Sequence, residues 1–115
     1  MRAVLCSLPI PEAEERLVRE RSRYFDDGEA AELAGAPLRT WAGRMALKEA
    51  LARLWQYREL PGTPRDFRIG RGPNGAPRLL DEVPGGPGVL AGVRVAISHS
   101  RDTACGLAVG PEGAR

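Results

Sequence analysis

The chain has few of the residue types on which metal sites and nucleic-acid interfaces are commonly built. Its 115 residues include one histidine, two cysteines, and two each of tryptophan, tyrosine and phenylalanine. Cys6 and Cys105 match no metal-ligand spacing and His99 stands alone, so we expect two reduced thiols in strands. So few aromatic rings, basic residues spread along the chain and a net charge of only +2 argue against a nucleic-acid partner.

Long apolar runs are also missing. No stretch approaches the length of a membrane span, and residues 1–10 are too short and too interrupted for a signal peptide. Hydrophobic residues make up 43% of the chain and charged residues 28%, which is the balance of a globular protein. We therefore expect a cytoplasmic protein without a membrane partner, with one domain over residues 1–110 and a tail over 111–115.

The first half of the chain predicts one strand and three helices. An apolar strand over 2–8 is followed by a helix from Pro11 to about Arg21. Asp26 is placed to cap a second helix that ends at Gly35, with Glu29 completing a capping box. Ion pairs four residues apart are expected along the first helix, Glu12–Arg16 and Glu15–Arg19. A central helix covers 41–55.

The second half changes from helical to alternating periodicity and predicts four strands. Strands over 66–71 and 76–81 flank the turn 72–75, and a glycine-rich and proline-rich loop covers 82–92. A strand over 93–97, a polar turn over 98–102 and a return strand over 104–109 complete the chain. The sum is an α+β fold with a mainly antiparallel sheet packed against the long central helix.

The central helix is apolar on two sides, where an ordinary surface helix has one apolar stripe. Its two sides are Leu47, Ala50 and Leu54, and Met45, Ala52 and Trp55. Its charged residues should therefore lie in grooves or at an interface. Lys48 is the only lysine beside sixteen arginines, which favours a chemical role. Glu49 fits a carboxylate ligand or base between phosphate-binding cations, Arg44 and Lys48 before it and Arg53 after it. A structural Glu49–Arg53 salt bridge fits equally well.

Two further motifs lie at strand ends. Ser98, His99 and Ser100 combine two hydroxyls, an imidazole and turn N–H groups into a potential anion cradle, with Arg101 adjacent. A serine hydrolase is excluded because no nucleophile elbow is present. The segment 74–77, Asn-Gly-Ala-Pro, is by itself a hairpin turn.

The order of these motifs resembles that of the 4′-phosphopantetheinyl transferase superfamily. The helix carries Arg44-x-x-x-Lys48-Glu49, the turn carries Asn-Gly-x-Pro, and Ser98-His99 precedes a strand of small residues. The resemblance is closest to the single-domain, holo-acyl-carrier-protein-synthase-like group and covers roughly 25–109. It implies that family's fold and the Mg²⁺-dependent transfer of 4′-phosphopantetheine from coenzyme A to a serine of an acyl or peptidyl carrier protein. Such a reaction serves fatty acid or polyketide biosynthesis.

The resemblance also implies roles for individual residues. Glu49 would hold Mg²⁺, and Arg53 would lie near the reacting phosphates, so that Glu49, Lys48 and Arg53 form the catalytic set. Arg44 and Lys48 would face the phosphates of coenzyme A. The ribose 3′-phosphate would be held by Ser98, His99 and Ser100.

Three positions depart from the family pattern. Residues 5–9 carry no carboxylate where the first strand normally ends in a metal-binding Asp, and the next acidic residue is Glu12. Ala76 replaces a lysine of the turn, and Arg53 replaces a lysine of the helix. The missing Asp leaves a non-catalytic module that binds coenzyme A or a nucleotide phosphate as the alternative. A structural oligomer without a ligand is a third interpretation.

The family resemblance also concerns assembly. The family's site lies between two such domains, so a chain with one copy is expected to form a homo-oligomer, a trimer in the first instance. Carrier proteins are commonly acidic, and the arginine-rich segment 16–23 is therefore a candidate docking surface.

Overall fold

The computed structural model describes residues 1–80 and 82–112. Within these ranges the helices and strands follow the predicted order of one strand, three helices and four strands. They are β1 (Arg2–Pro9), α1 (Ile10–Glu20), α2 (Asp27–Leu33), α3 (Leu38–Tyr57), β2 (Ile69–Arg71), β3 (Pro77–Leu79), β4 (Arg94–His99) and β5 (Thr103–Gly110). Asp81, the predicted end of a strand, and residues 113–115 of the predicted tail lie outside the described residues.

The strands form an antiparallel sheet and a separate hairpin. The sheet has the order β1-β5-β4, so β1 and β4 are its two edges, while β2 pairs only with β3 among the described strands. One sheet face packs against α3 and carries the buried β1 side chains Val4, Cys6 and Leu8. The predicted α+β class with a mainly antiparallel sheet is confirmed.

Two glycines let α3 approach this sheet closely. Gly106 of β5 lies against the backbone of Ala46 and Leu47, where any Cβ would overlap those atoms. Gly43 of α3 faces Ile97 of β4, and a Cβ there would lie 2.6 Å from its Cγ2. The absence of a side chain at both positions sets the distance between helix and sheet.

The helix α3 is apolar on two sides because it is packed on two sides. Leu47, Leu51 and Leu54 join the sheet and the β2–β3 hairpin in one core cluster, while Met45 and Ala46 join α1 and α2 in another. All six positions that the helical wheel marked as apolar are buried. The prediction that the helix has two buried sides is therefore correct.

Several element boundaries differ from the prediction for physical reasons. The helix α3 is longer than 41–55 at both ends, and Thr40 N–H already donates to Pro37 O at 2.9 Å. The capping box is half-formed, because Asp26 accepts from Glu29 N–H at 2.8 Å but the Glu29 side chain turns into the core. Ser98 and His99 belong to β4 and not to a turn, since they pair with β5 residues. The turn itself is closed by Ser100 N–H donating to Thr103 O.

The pairs predicted along α1 are present. Arg16 Nη2 lies 2.5 Å from Glu12 Oε1, and Arg19 Nη1 lies 2.9 Å from Glu15 Oε1. The free thiols Cys6 and Cys105 lie in β1 and β5, as expected. Over the ranges that the structure describes, no helix combines the length and apolar character needed to cross a membrane.

Candidate functional site

Lys48 lies in the protein interior, which departs from the phosphate contact expected of it. Its side chain is 0% exposed, and its Nζ donates to Glu29 Oε1 at 2.6 Å and to Phe67 O. Burial lowers the pKa of Lys48, and the hydrogen bond to Glu29 opposes that shift. An ammonium enclosed in this way has no free path to a ligand, so we remove Lys48 from the predicted phosphate-binding and catalytic residues.

The buried charges hold the β2–β3 hairpin against α3. Glu29 Oε2 accepts from Ile69 N–H at 3.1 Å, and Arg44 Nη1 donates to Ile69 O. Together with the hydrogen bond from Lys48 to Phe67 O, these contacts provide hydrogen-bond partners for the buried backbone groups at the start of β2. The hairpin therefore takes its position from side chains of α2 and α3.

A basic groove of about 520 Å³ lies between α3, the hairpin and β4. Arg39, Arg44, Arg71 and His99 contribute its basic side chains, and no acidic residue of the described chain lines it. The turn 74–77 forms one wall, held by Gly72 N–H donating to Ala76 O at 2.8 Å. Arginines in a concave surface of this kind suit a phosphate-bearing ligand.

Only part of the predicted anion cradle faces this groove. His99 lies on its lining, next to Ile97, whereas Ser98 lies beside Cys105 on the opposite face of the sheet. Consecutive residues of a strand point to opposite faces, so the Ser98 side chain points away from the sheet face that carries His99. Ser100 follows the strand in the turn and is exposed. The structure thus separates three residues that the sequence analysis had grouped.

Glu49 belongs to a different group of polar side chains beside β1, which we call the charge cluster: Glu12, Arg16, Tyr24 and Glu49. Tyr24 OH donates to Glu49 Oε1 at 2.8 Å and accepts from Arg16 Nη1 at 2.9 Å. Arg16 Nη1 also lies 4.0 Å from Glu49 Oε1. Arg53 is exposed, and among the described residues it forms no ion pair with Glu49, so the structure does not contain the Glu49–Arg53 salt bridge that the sequence left open as an alternative.

Burial and neighbouring polar groups shift the pKa values of side chains in and next to this cluster. Burial raises the pKa of Tyr24, and its hydrogen bond to Glu49 raises it further, so the phenol stays a donor. Burial alone would lower the pKa of Arg16, but its bonds to Tyr24 and Glu12 outweigh this and raise it. The thiol of Cys6, next to the cluster on β1, has its pKa raised by burial against the opposing charge of Arg53.

These residues do not fit the Mg²⁺ site predicted at Glu49. Mg²⁺ requires a near-octahedral shell of oxygen ligands. The described chain contains no group of three or more His, Cys, Asp or Glu side chains that could hold a metal ion. The β1 side chains that face α3 are Val4, Cys6 and Leu8, and none offers an oxygen. Glu12 and Glu49, the carboxylates of the charge cluster, both face Arg16.

The groove and the charge cluster lie at opposite edges of the sheet. The groove is lined by Val95, Ala96, Ile97 and His99 of β4, while Glu49 lies next to Cys6 of β1. Because β5 separates β1 from β4, one chain does not bring the two sites together.

Solved structures with the same arrangement of elements are known. Holo-[acyl-carrier-protein] synthase of Helicobacter pylori, determined in complex with coenzyme A, superposes with a TM-score of 0.73, with 18% identity over 96% of this chain and 100% of that chain. The Bacillus anthracis synthase, in complex with CoA (3′,5′-ADP), gives 0.71 at 20% identity over 94% and 93% of the two chains. The Plasmodium yoelii synthase gives 0.66 at 18% identity over 95% and 94%. No protein-family model and no curated protein matches the sequence.

The chain has the holo-[acyl-carrier-protein] synthase fold. The fold implied by the resemblance therefore extends over nearly the whole length of the chain. Within this fold, Arg44 and His99 line the groove, Glu49 belongs to the charge cluster, and Lys48 is buried and paired with Glu29.

The sequence analysis missed residues that flank its own motifs. Arg39 and Arg71 line the groove, the first just before the predicted central helix and the second just before the Gly72 turn. Their closeness to those motifs is the signal that could have found them. Tyr24 and Arg16 join Glu49 from 25 residues or more away, and no local pattern reveals that contact.

Proposed function

We propose that this protein transfers 4′-phosphopantetheine from coenzyme A to a serine of an acyl or peptidyl carrier protein. The proposal rests mainly on the basic groove, one wall of which is the Asn-Gly-Ala-Pro turn. The fold that contains this groove is shared with a synthase determined in complex with coenzyme A. Arg39, Arg44 and Arg71 receive the phosphates of the nucleotide half of coenzyme A. His99, at the end of the groove, contacts the ribose 3′-phosphate.

The charge cluster supplies the chemical step. The Glu49 carboxylate accepts the hydroxyl proton of the carrier serine. The serine oxygen then attacks the phosphorus next to the pantetheine. The bond from that phosphorus to the bridging oxygen breaks, and 3′,5′-ADP leaves. Arg53, exposed one turn further along α3, faces the charge that develops on the phosphates, and as an arginine it acts as a donor only.

The active form is a homo-oligomer, and we propose a trimer. The groove of one copy must meet the charge cluster of another, because they lie at opposite edges of the sheet. The sheet face away from α3 offers an apolar surface for this, where Leu5, Leu107 and Ala96 lie side by side and Leu5 is 63% exposed. Leu5→Glu should sediment as a monomer in sedimentation velocity and lose the transfer activity. Leu5→Ala should retain the oligomeric state and the transfer activity of the wild type.

The carrier docks on the arginine-rich segment 16–23, which comprises the end of α1 and the turn after it. Arg19 and Arg23 are exposed, and Val18, which directly precedes Arg19, is 83% exposed, which combines positive charge with an apolar contact. Reversing Arg19 and Arg23 to Glu should slow transfer to an acidic carrier at low salt and have little effect at high salt. Unchanged rates at low salt would exclude this surface.

The test of the proposed function is direct. The protein is incubated with coenzyme A, divalent cation and apo-carrier proteins, and mass spectrometry looks for the phosphopantetheine adduct. Glu49→Gln should abolish the adduct but leave coenzyme A binding intact. Glu82→Gln, an exposed carboxylate in the loop before β4, is the matched control and should behave as wild type.

One observation favours a second function, a non-catalytic module that binds coenzyme A. The inward face of β1 has Val4, Cys6 and Leu8 where a carboxylate would oppose Glu49. Tight coenzyme A binding without an adduct on any carrier of the source organism would establish this alternative. No coenzyme A binding at all would reject both functions.

A further inference from the structure

Arg16 lies between two carboxylates that belong to different helices. Its Nη2 donates to Glu12 Oε1 at 2.5 Å, on α1, and its Nη1 lies 4.0 Å from Glu49 Oε1, on α3. The same Nη1 donates to Tyr24 OH, which donates in turn to Glu49 Oε1. One guanidinium thus connects Glu12, Tyr24 and Glu49.

The surroundings hold this guanidinium in place. Tyr24 is 1% exposed, so its hydroxyl is a fixed acceptor, whereas the Arg16 and Glu49 side chains are 32% and 24% exposed. The partly open position means that an ion from solvent can reach the space between the carboxylates. Two carboxylates and one guanidinium leave a net charge of minus one there, which reduces the attraction for a divalent cation.

We propose that Arg16 acts as a built-in counter-cation that occupies the space a divalent metal would take between Glu12 and Glu49. Wild-type protein then binds no divalent cation at this position in the millimolar range where weak carboxylate sites work. Removing the guanidinium creates a divalent-cation site from the two freed carboxylates. The part of this inference that concerns coenzyme A rests on the proposed function, whereas the cation site does not.

The first experiment titrates Mg²⁺, and Mn²⁺ followed by electron paramagnetic resonance, into wild type and Arg16→Met without coenzyme A. Arg16→Met should bind the cation about tenfold or more tightly than wild type. Arg16→Lys, which keeps a positive charge, should resemble wild type. Arg19→Met is the matched control, because Arg19 pairs with Glu15 on the same helix at 2.9 Å but has no contact with Glu49 among the described residues.

Two outcomes would overturn the proposal: wild type that binds Mg²⁺ as tightly as Arg16→Met, or Arg19→Met that gains the same affinity. Circular dichroism checks that each variant folds, and Arg16→Gln replaces Arg16→Met if the latter does not. Adding Glu12→Gln to Arg16→Met should remove the new affinity, and its persistence would also contradict the assignment of Glu12.

The second experiment measures coenzyme A binding by calorimetry with Mg²⁺ and with EDTA. Wild type should bind equally in both, and Arg16→Met should bind more tightly with Mg²⁺. Wild-type binding that needs Mg²⁺ would overturn the inference while supporting the proposed function. Absence of coenzyme A binding in either buffer would reject the proposed function, and the cation titration would still decide the role of Arg16.

Discussion

Replacing Lys48 by methionine distinguishes a structural lysine from a ligand-binding one. Lys48 and Glu29 are 0% and 1% exposed and 2.6 Å apart, so Lys48→Met leaves an uncompensated carboxylate in the core. Removing one partner of a buried pair costs about 3–5 kcal/mol, a large part of the roughly 5–15 kcal/mol that stabilises a domain. With a slope near 2 kcal/mol per molar urea, the unfolding midpoint should fall by about 2 M.

The assay is urea unfolding followed by the fluorescence of Trp55, which is fully buried. Arg53→Met, an exposed cation on the same helix, should change the unfolding free energy by only about 0.5 kcal/mol or less. Adding Glu29→Gln to Lys48→Met should recover part of the loss, because the stranded charge is removed while Ile69 N–H keeps an acceptor. Lys48→Met with wild-type stability and no coenzyme A binding would refute the structural role.

Three further predictions follow from packing, charge and pH. Gly106→Ala should destabilise severely or prevent folding, because the new methyl group meets the Leu47 backbone; thermal unfolding measures this. Arg71→Gln should weaken coenzyme A binding about tenfold in calorimetry, whereas Arg78→Gln, outside the groove, should not. The Glu29 N–H that donates to the Asp26 side chain lowers the pKa of Asp26, so its carboxylate stabilises the fold at pH values above its unfolded pKa, and this contribution disappears as pH falls through the lower folded value. Asp26→Asn keeps the cap acceptor but should lack this acid-dependent loss in urea unfolding between about pH 2 and 6.

Local patterns predicted the elements because the forces behind them are local. The change from helical to alternating periodicity identified three helices and four later strands, and spacing of four residues identified the pairs of Arg16 and Arg19. The overlap of Gly106 with α3 depends on how a strand and a helix cross, and no sequence pattern records that crossing. The fold could therefore be predicted more fully than its packing.

The candidate site was harder to predict because its charges are partnered across the fold. Lys48 beside Glu49 suggested ligand binding, yet its partner Glu29 lies 19 residues earlier on another helix. Glu49 likewise contacts Tyr24 rather than Arg53, its neighbour one turn away. The separation of Ser98 from His99 follows from one boundary, since the strand extends through both residues and places them on opposite faces.

The burial of the only lysine side chain gives this protein a built-in probe of its own opening. Amine-reactive reagents need a free and accessible amine, and the Lys48 ammonium is fully enclosed and hydrogen-bonded in the folded state. The rate at which Lys48 is labelled would therefore report how often α2 and the β2–β3 hairpin separate from α3. Immobilising the protein on a solid support through its lysine side chain would likewise select opened molecules over folded ones.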